Sequence, residues 1–285
     1  GMTDAPPSTT PTAAPTAAPA AAPTPGTVTA AMLIIGNEIL SGRTKDKNVG
    51  YIAEELTAMG IRLSEVRVVR DDEAAIIEAV RLLSERYTYV FPSGGIGPTH
   101  DDITTACIAK AFGAEVERNA EAMRRLTAHY ANSGVEFNAA RQKMAEIPVG
   151  AGLIDNPVSA APGFILRNVH VMAGVPRILQ AMFEGLKPIL TGGAQMLSRT
   201  VACTVGEGTV AGGLGDIQTA FPEVEIGSYP YFRAGAFGTS LVLRGTDEGQ
   251  LEAATEEVRK LVRSLGGEPI DIDDGVDADS AEAAS

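Results

Sequence analysis

The chain has 285 residues with 45% hydrophobic content, 5% aromatic content and no Trp, so aliphatic side chains must fill the core of one large domain or two modest ones. A formal net charge of −13 opposes a general nucleic-acid binder, which needs a basic face, and no run approaches the roughly 18 apolar residues of a membrane span. Cys107 and Cys203 form no close-spaced metal or redox motif and are expected as reduced, buried thiols of a cytoplasmic protein.

Residues 1–27 read as a disordered, partly polyproline-like tail of Ala, Pro, Thr and Ser, opened by a Gly1 that resembles an expression scar. A basic start and a Pro-free apolar run, the marks of a signal peptide, are both missing. "VTAAMLIIG" (28–36) predicts a buried first strand. "DKNVGYIAEELTAMG" (46–60) places Val49, Ile52, Ala53, Leu56 and Met59 on one helical face and stops at Gly60. "IRLSEVRVVR" (61–70) alternates like a strand, and Asp71 or Asp72 then caps a helix striped by Ile76, Ile77, Val80 and Leu83. A third strand covers 87–93 and a third helix 103–113. Residues 119–146 read as mostly helical, and "GAGLIDNPVSAAPGFIL" as two short strands. "VHVMAGVPRILQAMFEGLKPIL" supplies a strand, a turn at Gly174 and a helix with Pro176 near its start.

This alternation predicts an α/β domain over 28–192, with a mostly parallel sheet and helices on both faces. Right-handed crossovers bring the carboxyl ends of strands one and three to one rim, where ligands of such sheets lie. "GNEILSG" and "SGGIGPTHDD" are those ends. Residues 193–268, with strands near 200, 225 and 240 and an amphipathic helix over 247–266, predict a small α+β domain. Residues 269–285 are expected as an acidic, solvated tail.

"FPSGGIGPTHDDIT" (91–104) raises a question of charge. Exposed backbone N–H groups of a Gly-rich turn beside a helix start attract phosphate. Gly94, Gly95 and Gly97 allow close approach, and Pro98 stiffens the turn. Asp101 and Asp102 would repel an anion, and capping explains one aspartate better than two preceded by His100. Glu38, Asp46, Asp71 and Asp72 crowd the same rim. A divalent cation between carboxylates and phosphate resolves the conflict, because Mg²⁺ takes one or two carboxylates plus phosphate oxygens and waters.

"IGNEILSGRTKDKN", "SGGIGPTHDDIT", "NPVSAAPGF" and "AGVPRILQAM" resemble, in that order, the molybdopterin-binding (MoaB/Mog-like) domain, and most closely its CinA-like (competence/damage-inducible protein A) branch. The resemblance is strong over 29–190 and weaker to about 265. It implies a three-layer α/β/α fold, often homo-oligomeric, that binds molybdopterin or handles nucleotide diphosphates. It also implies a phosphate loop of Ser93, Gly94, Gly95, Gly97, Pro98 and Thr99, with Asn156 and Gly174 in binding turns. By the same resemblance Asp72, Asp102 and Glu38 are expected as catalytic acids. Glu38, Asp46, Asp101 and Asp102 are expected to hold Mg²⁺, Mn²⁺ or Co²⁺.

Two positions depart from the family pattern: Ser93 replaces a Thr, and Ala173 replaces the Pro of "PGVP". The chain stops before the nicotinamide-nucleotide deamidase domain that often follows, so that activity is not expected. The expected function is metal-dependent hydrolysis of a nucleoside-diphosphate-type pyrophosphate such as ADP-ribose. The alternatives are molybdopterin binding or adenylylation and a non-catalytic ligand-binding module. The expected partner is a small nucleotide or pterin phosphate, with neither nucleic acid nor membrane. "GEGTVAGG" (206–213) imitates a dinucleotide fingerprint but has the wrong spacing and sits in the second domain. His129 and His170 lack ligand-like neighbours and are read as structural or surface residues, and no His partners Ser41 or Ser93.

Overall fold

The structure, a computed structural model, describes residues 27–272. The expected disorder of residues 1–26 and the acidic run after 272 lie outside the described residues. The first domain runs β1 (Val28–Ile35), α1 (Asn37–Leu40), α2 (Asn48–Ala58), β2 (Ile61–Val69), α3 (Glu73–Arg86), β3 (Tyr89–Ser93) and α4 (Thr104–Ala111). It continues through β4 (Val116–Arg118), α5 (Ala120–Ala131), α6 (Ala139–Gln142), β5 (Glu146–Pro148), β6 (Gly152–Ile154), β7 (Gly163–Leu166), β8 (Val169–Val171) and α7 (Pro176–Leu186).

The main sheet has the order β2-β1-β3-β8-β7-β6. Its first four strands are parallel, and β7 and β6 follow as an antiparallel edge. β1 is central because it can be buried on both faces. Its residues alternate between two cores, as successive strand side chains must. Ala31, Leu33 and Ile35 pack with Ile76 and Val80 of α3 and Ile108 of α4. Ala30, Met32 and Ile34 pack with Ile52 and Leu56 of α2 and Leu179 and Phe183 of α7. Two apolar faces on one strand make the three-layer α/β/α architecture. Burying each large aliphatic side chain contributes roughly 1.5–3 kcal/mol.

The stretch 119–146 is less uniformly helical than its sequence suggests. α5 and α6 are capped by the side chains of Asn119 and Asn138, while β4 and β5 pair as a separate ribbon. Strands of three residues carry too little period-two signal to be read locally. Cys107 and Cys203 are free and buried; desolvation pushes the Cys107 thiol up to about 11, which makes it a poor nucleophile.

The second domain contains β9 (Leu197–Cys203), α8 (Glu207–Ala220), β10 (Glu225–Arg233), β11 (Ala236–Gly245), α9 (Glu248–Ser264) and β12 (Ile270–Ile272). Its antiparallel sheet has the order β10-β11-β9-β12. Val210 and Leu214 of α8 and Leu251, Ala254, Val258 and Val262 of α9 cover one face. The boundary expected at 268 moves outward, because Ile270–Ile272 pairs with β9 instead of joining a solvated tail. The domains meet where Gly193 N–H donates to Gly60 O at 3.3 Å and where Arg62 pairs with Glu225.

Candidate functional site

The carboxyl ends of β1, β2, β3 and β8 converge on one rim, as the parallel order requires. β3 ends at Ser93, which is 2% exposed and whose Oγ has no hydrogen-bond partner among the described residues. The chain then turns through Gly94 at φ 96° and Gly95 at φ 71°, a left-handed pair that side-chain-bearing residues resist. Thr104 locks the turn: its hydroxyl donates to Gly94 O at 2.8 Å and its N–H to Gly95 O at 3.0 Å. A Cβ on Gly97 would lie 2.7 Å from Asp102 Oδ2, so glycine there makes room for the carboxylate.

Asp102 closes the loop on itself. Its Oδ2 accepts from Thr99 N–H at 2.9 Å and Thr99 Oγ1–H at 2.8 Å. Asp101 pairs with His100, the two side chains being 70% and 91% exposed and 3.2 Å apart. On the neighbouring turn, Asn37 and Asp71 clasp each other: Asn37 N–H donates to Asp71 Oδ2 at 3.2 Å, and Asp71 N–H to Asn37 Oδ1 at 3.1 Å.

Two adjoining chambers result. A polar one of about 420 Å³ is lined by Asn37, Glu38, Ser41, Arg43, Asp71, Thr99, Asp101 and Asp102. A largely apolar one of about 360 Å³ is lined by the Gly94–Pro98 loop, Met144, Asn156, Ala161, Gly174, Val175 and Ile178. Glu38, Gly95 and Asp102 face both. Desolvation raises the Asp71 carboxyl above its ordinary value; the Asn37 N–H opposes this, and the carboxylates of Glu38, Asp102 and Asp101 add to it. Like charge is therefore concentrated beside the glycine turn.

Several expected site residues have other tasks. Asp72 is the N-cap of α3, accepting from Ala75 N–H at 2.9 Å, and it is Asp71 that lines the polar chamber. Asp72, expected beside Asp102 and Glu38 as a catalytic acid, lines neither chamber. Asp46 likewise caps α2, accepting from Asn48 N–H at 3.1 Å and Val49 N–H at 3.0 Å, and lines neither chamber. Among the described residues no group of three or more His, Cys, Asp or Glu side chains is arranged to hold a metal ion, so the four expected carboxylates form no ready-made cage. Asn156 lines the apolar chamber with its side chain spent. Nδ2 donates to Ser159 Oγ and Ala161 O, and Oδ1 accepts from Val158 and Ser159 N–H, which shapes the 156–161 turn.

Sequence reasoning missed Thr104, Arg43, Lys143 and Asn48. Asn48 is buried and its Nδ2 donates to Gly174 O at 2.9 Å, joining two rim turns 126 residues apart. No local pattern announces such a partner. His170 is structural, buried between Tyr89 and Phe91 at ring distances of 5.4 Å, and burial lowers its pKa.

Residues 31–192 match the family described as "Probable molybdopterin binding domain", and residues 195–265 match "FAD synthase, middle domain". A protein of Pyrobaculum arsenaticum is 36% identical over 217 residues, which cover 73% of this chain and 82% of that protein. A "CinA-like protein" of Syntrophus aciditrophicus is 38% identical over 212 residues, 70% of this chain and 50% of that protein, so the present chain spans about half its length. Among solved structures, "the protein CinA with unknown function" from Thermoplasma acidophilum superposes with a TM-score of 0.52 at 35% identity, covering 56% of this chain and 97% of that one. The rim motifs, the α/β/α layers and these likenesses agree: the chain belongs to the molybdopterin-binding domain family, among its CinA-like members, and carries a small C-terminal domain similar to the middle domain of FAD synthase.

Proposed function

We propose that the two chambers bind a nucleotide-type diphosphate together with a divalent cation and hydrolyse its pyrophosphate linkage. The supporting observation is the meeting of opposites at Asp102. A Gly-rich turn suited to anions and a set of carboxylates suited to cations share one wall. Because no three-carboxylate group is preassembled among the described residues, the fitting cation is one that arrives on phosphate and takes one or two protein carboxylates, the habit of Mg²⁺. Glu38 and Asp102 face both chambers and are the acids placed to hold it. Such a cation, when bound, offsets diphosphate charge and acidifies water.

The protein's own share is positioning and proton transfer. The loop from Gly94 to Thr99 holds phosphate oxygens. The apolar chamber of Ile96, Met144, Val175 and Ile178 takes the less polar end of the substrate and excludes water there. Asp71, whose carboxyl is raised mainly by desolvation, is the group best suited to accept a proton from attacking water. The test is AMP release from ADP-ribose with and without Mg²⁺, Mn²⁺ or Co²⁺. Turnover only with metal is expected, together with weak cation binding that tightens when ADP-ribose is present. No product with any metal sinks the catalytic reading.

A second reading, binding of a pterin phosphate such as molybdopterin, draws on the family description and on the apolar chamber. Calorimetry with molybdopterin against ADP-ribose separates the two.

A further inference from the structure

Lys143 belongs to no recognised motif, yet it grips the candidate site from behind. Its Nζ donates to Thr99 O and to Asp102 O, each at 2.8 Å, across 44 and 41 residues of chain. Those are the two residues whose side chains and backbone close the loop on itself. Asp102 N–H also donates to Thr99 O at 3.2 Å, so a single carbonyl receives both the turn's own bond and the lysine's. The lysine lines a narrow cavity of about 140 Å³ together with Gly97, Asp102 and Met144, residues that also face the apolar chamber. It begins a 3₁₀ turn, Lys143–Ala145, that follows α6, whose start is fixed by Asn138 accepting from Arg141 N–H at 2.9 Å. The ammonium is thus carried on a capped element and aimed at the loop's carbonyls.

We propose that Lys143 is a positioning residue for ligand binding. With the carbonyls of Thr99 and Asp102 turned toward the ammonium, the 99–102 turn has a fixed orientation, and the Asp102 carboxylate that faces both chambers is held in place. Hydrogen bonds to a charged donor are stronger than neutral ones, and two of them converge here. The inference rests on the proposed reading of the site, and it makes the ligand's affinity depend on a residue that never touches the ligand.

The experiment compares Lys143→Met, Lys143→Arg and the wild-type chain in steady-state hydrolysis of ADP-ribose with Mg²⁺ and in calorimetric titration with the same pair. Lys143→Met is expected to raise KM and the calorimetric Kd by about tenfold or more, with kcat nearly unchanged. Lys143→Arg is expected to recover most of the loss, because it restores a charged donor. A merely architectural lysine behaves differently: partial unfolding removes active molecules and lowers apparent kcat while leaving KM alone. That pattern, or a wild-type KM and Kd in Lys143→Met, overturns the proposal. If the wild-type chain shows no turnover, the hydrolase reading fails by itself, and the calorimetric comparison still decides the role of Lys143. Equal affinity in both chains then overturns it.

Discussion

The molecule contains two glycine-rich passages from a strand into a helix, and they work in opposite ways. Between β3 and α4, Gly94 and Gly95 have positive φ and are pinned by Thr104 beneath a rim of carboxylates. Between β9 and α8, Gly206 is an extended N-cap, and Gly208, Gly212 and Gly215 stand in open space within the helix. Gly213 instead makes room for Leu261 of α9. In the first passage glycine permits a backbone shape; in the second it mostly weakens a helix or lets two helices approach. Glycine count is the same kind of signal in both, so the function comes from what other segments bring to the turn.

Charge gives the largest test of this contrast. Asp102→Asn keeps an acceptor for the two Thr99 donors but loses its charge, and it is expected to cut metal-dependent AMP release by about 100-fold or more. The melting temperature should move by less than about 2 °C. Glu207→Gln, at the first-turn acid of α8, whose carboxylate accepts from Ser228 Oγ at 2.9 Å, should leave turnover unchanged. Equal rates in wild-type chain and Asp102→Asn would dissolve the distinction between the two turns.

Backbone shape gives the next largest effect. Gly95→Ala must place a Cβ against Thr104 Oγ1 at a φ that alanine resists, so a loss of roughly 1–3 kcal/mol and weaker ADP-ribose binding are expected. Gly212→Ala sits in the interior of α8 with nothing nearby and should stabilise by roughly 0.5–1 kcal/mol. Urea unfolding of both variants reads the opposite signs directly.

The neighbouring aspartates separate stability from turnover. Asp72→Ala removes the α3 cap and should cost about 1 kcal/mol while leaving turnover within a few-fold of the wild-type rate. Asp71→Asn should do the reverse. The Asp71 carboxyl is raised in the folded chain, so the folded state holds its proton more firmly than the unfolded one. Its stabilising contribution is complete below the unfolded value of about 3.9 and is lost as pH rises through the folded value. Asp71→Asn is therefore expected to raise the melting temperature slightly near neutral pH, by about 1–2 °C, with no gain below about pH 4. Thermal melts across pH, paired with turnover at pH 7, would show whether the two residues divide the work in this way.

The sequence by itself determined the first domain's layers, because hydrophobic period is a local property that each strand and helix carries alone. Val28–Ile35 announces a strand buried on both faces, and the stripe through Ile76, Val80 and Leu83 announces the helix that covers one of them. The glycine turn and its acids were legible for the same reason. Only the tertiary structure decided which acids share a chamber. Asp71 and Asp72 are adjacent, yet one reaches across to Asn37 and the other turns back to Ala75. Lys143 and Asn48 gain their meaning from carbonyls 41 or more residues away. A side chain's partner is set by the path of the whole backbone, and no short window of sequence contains that path.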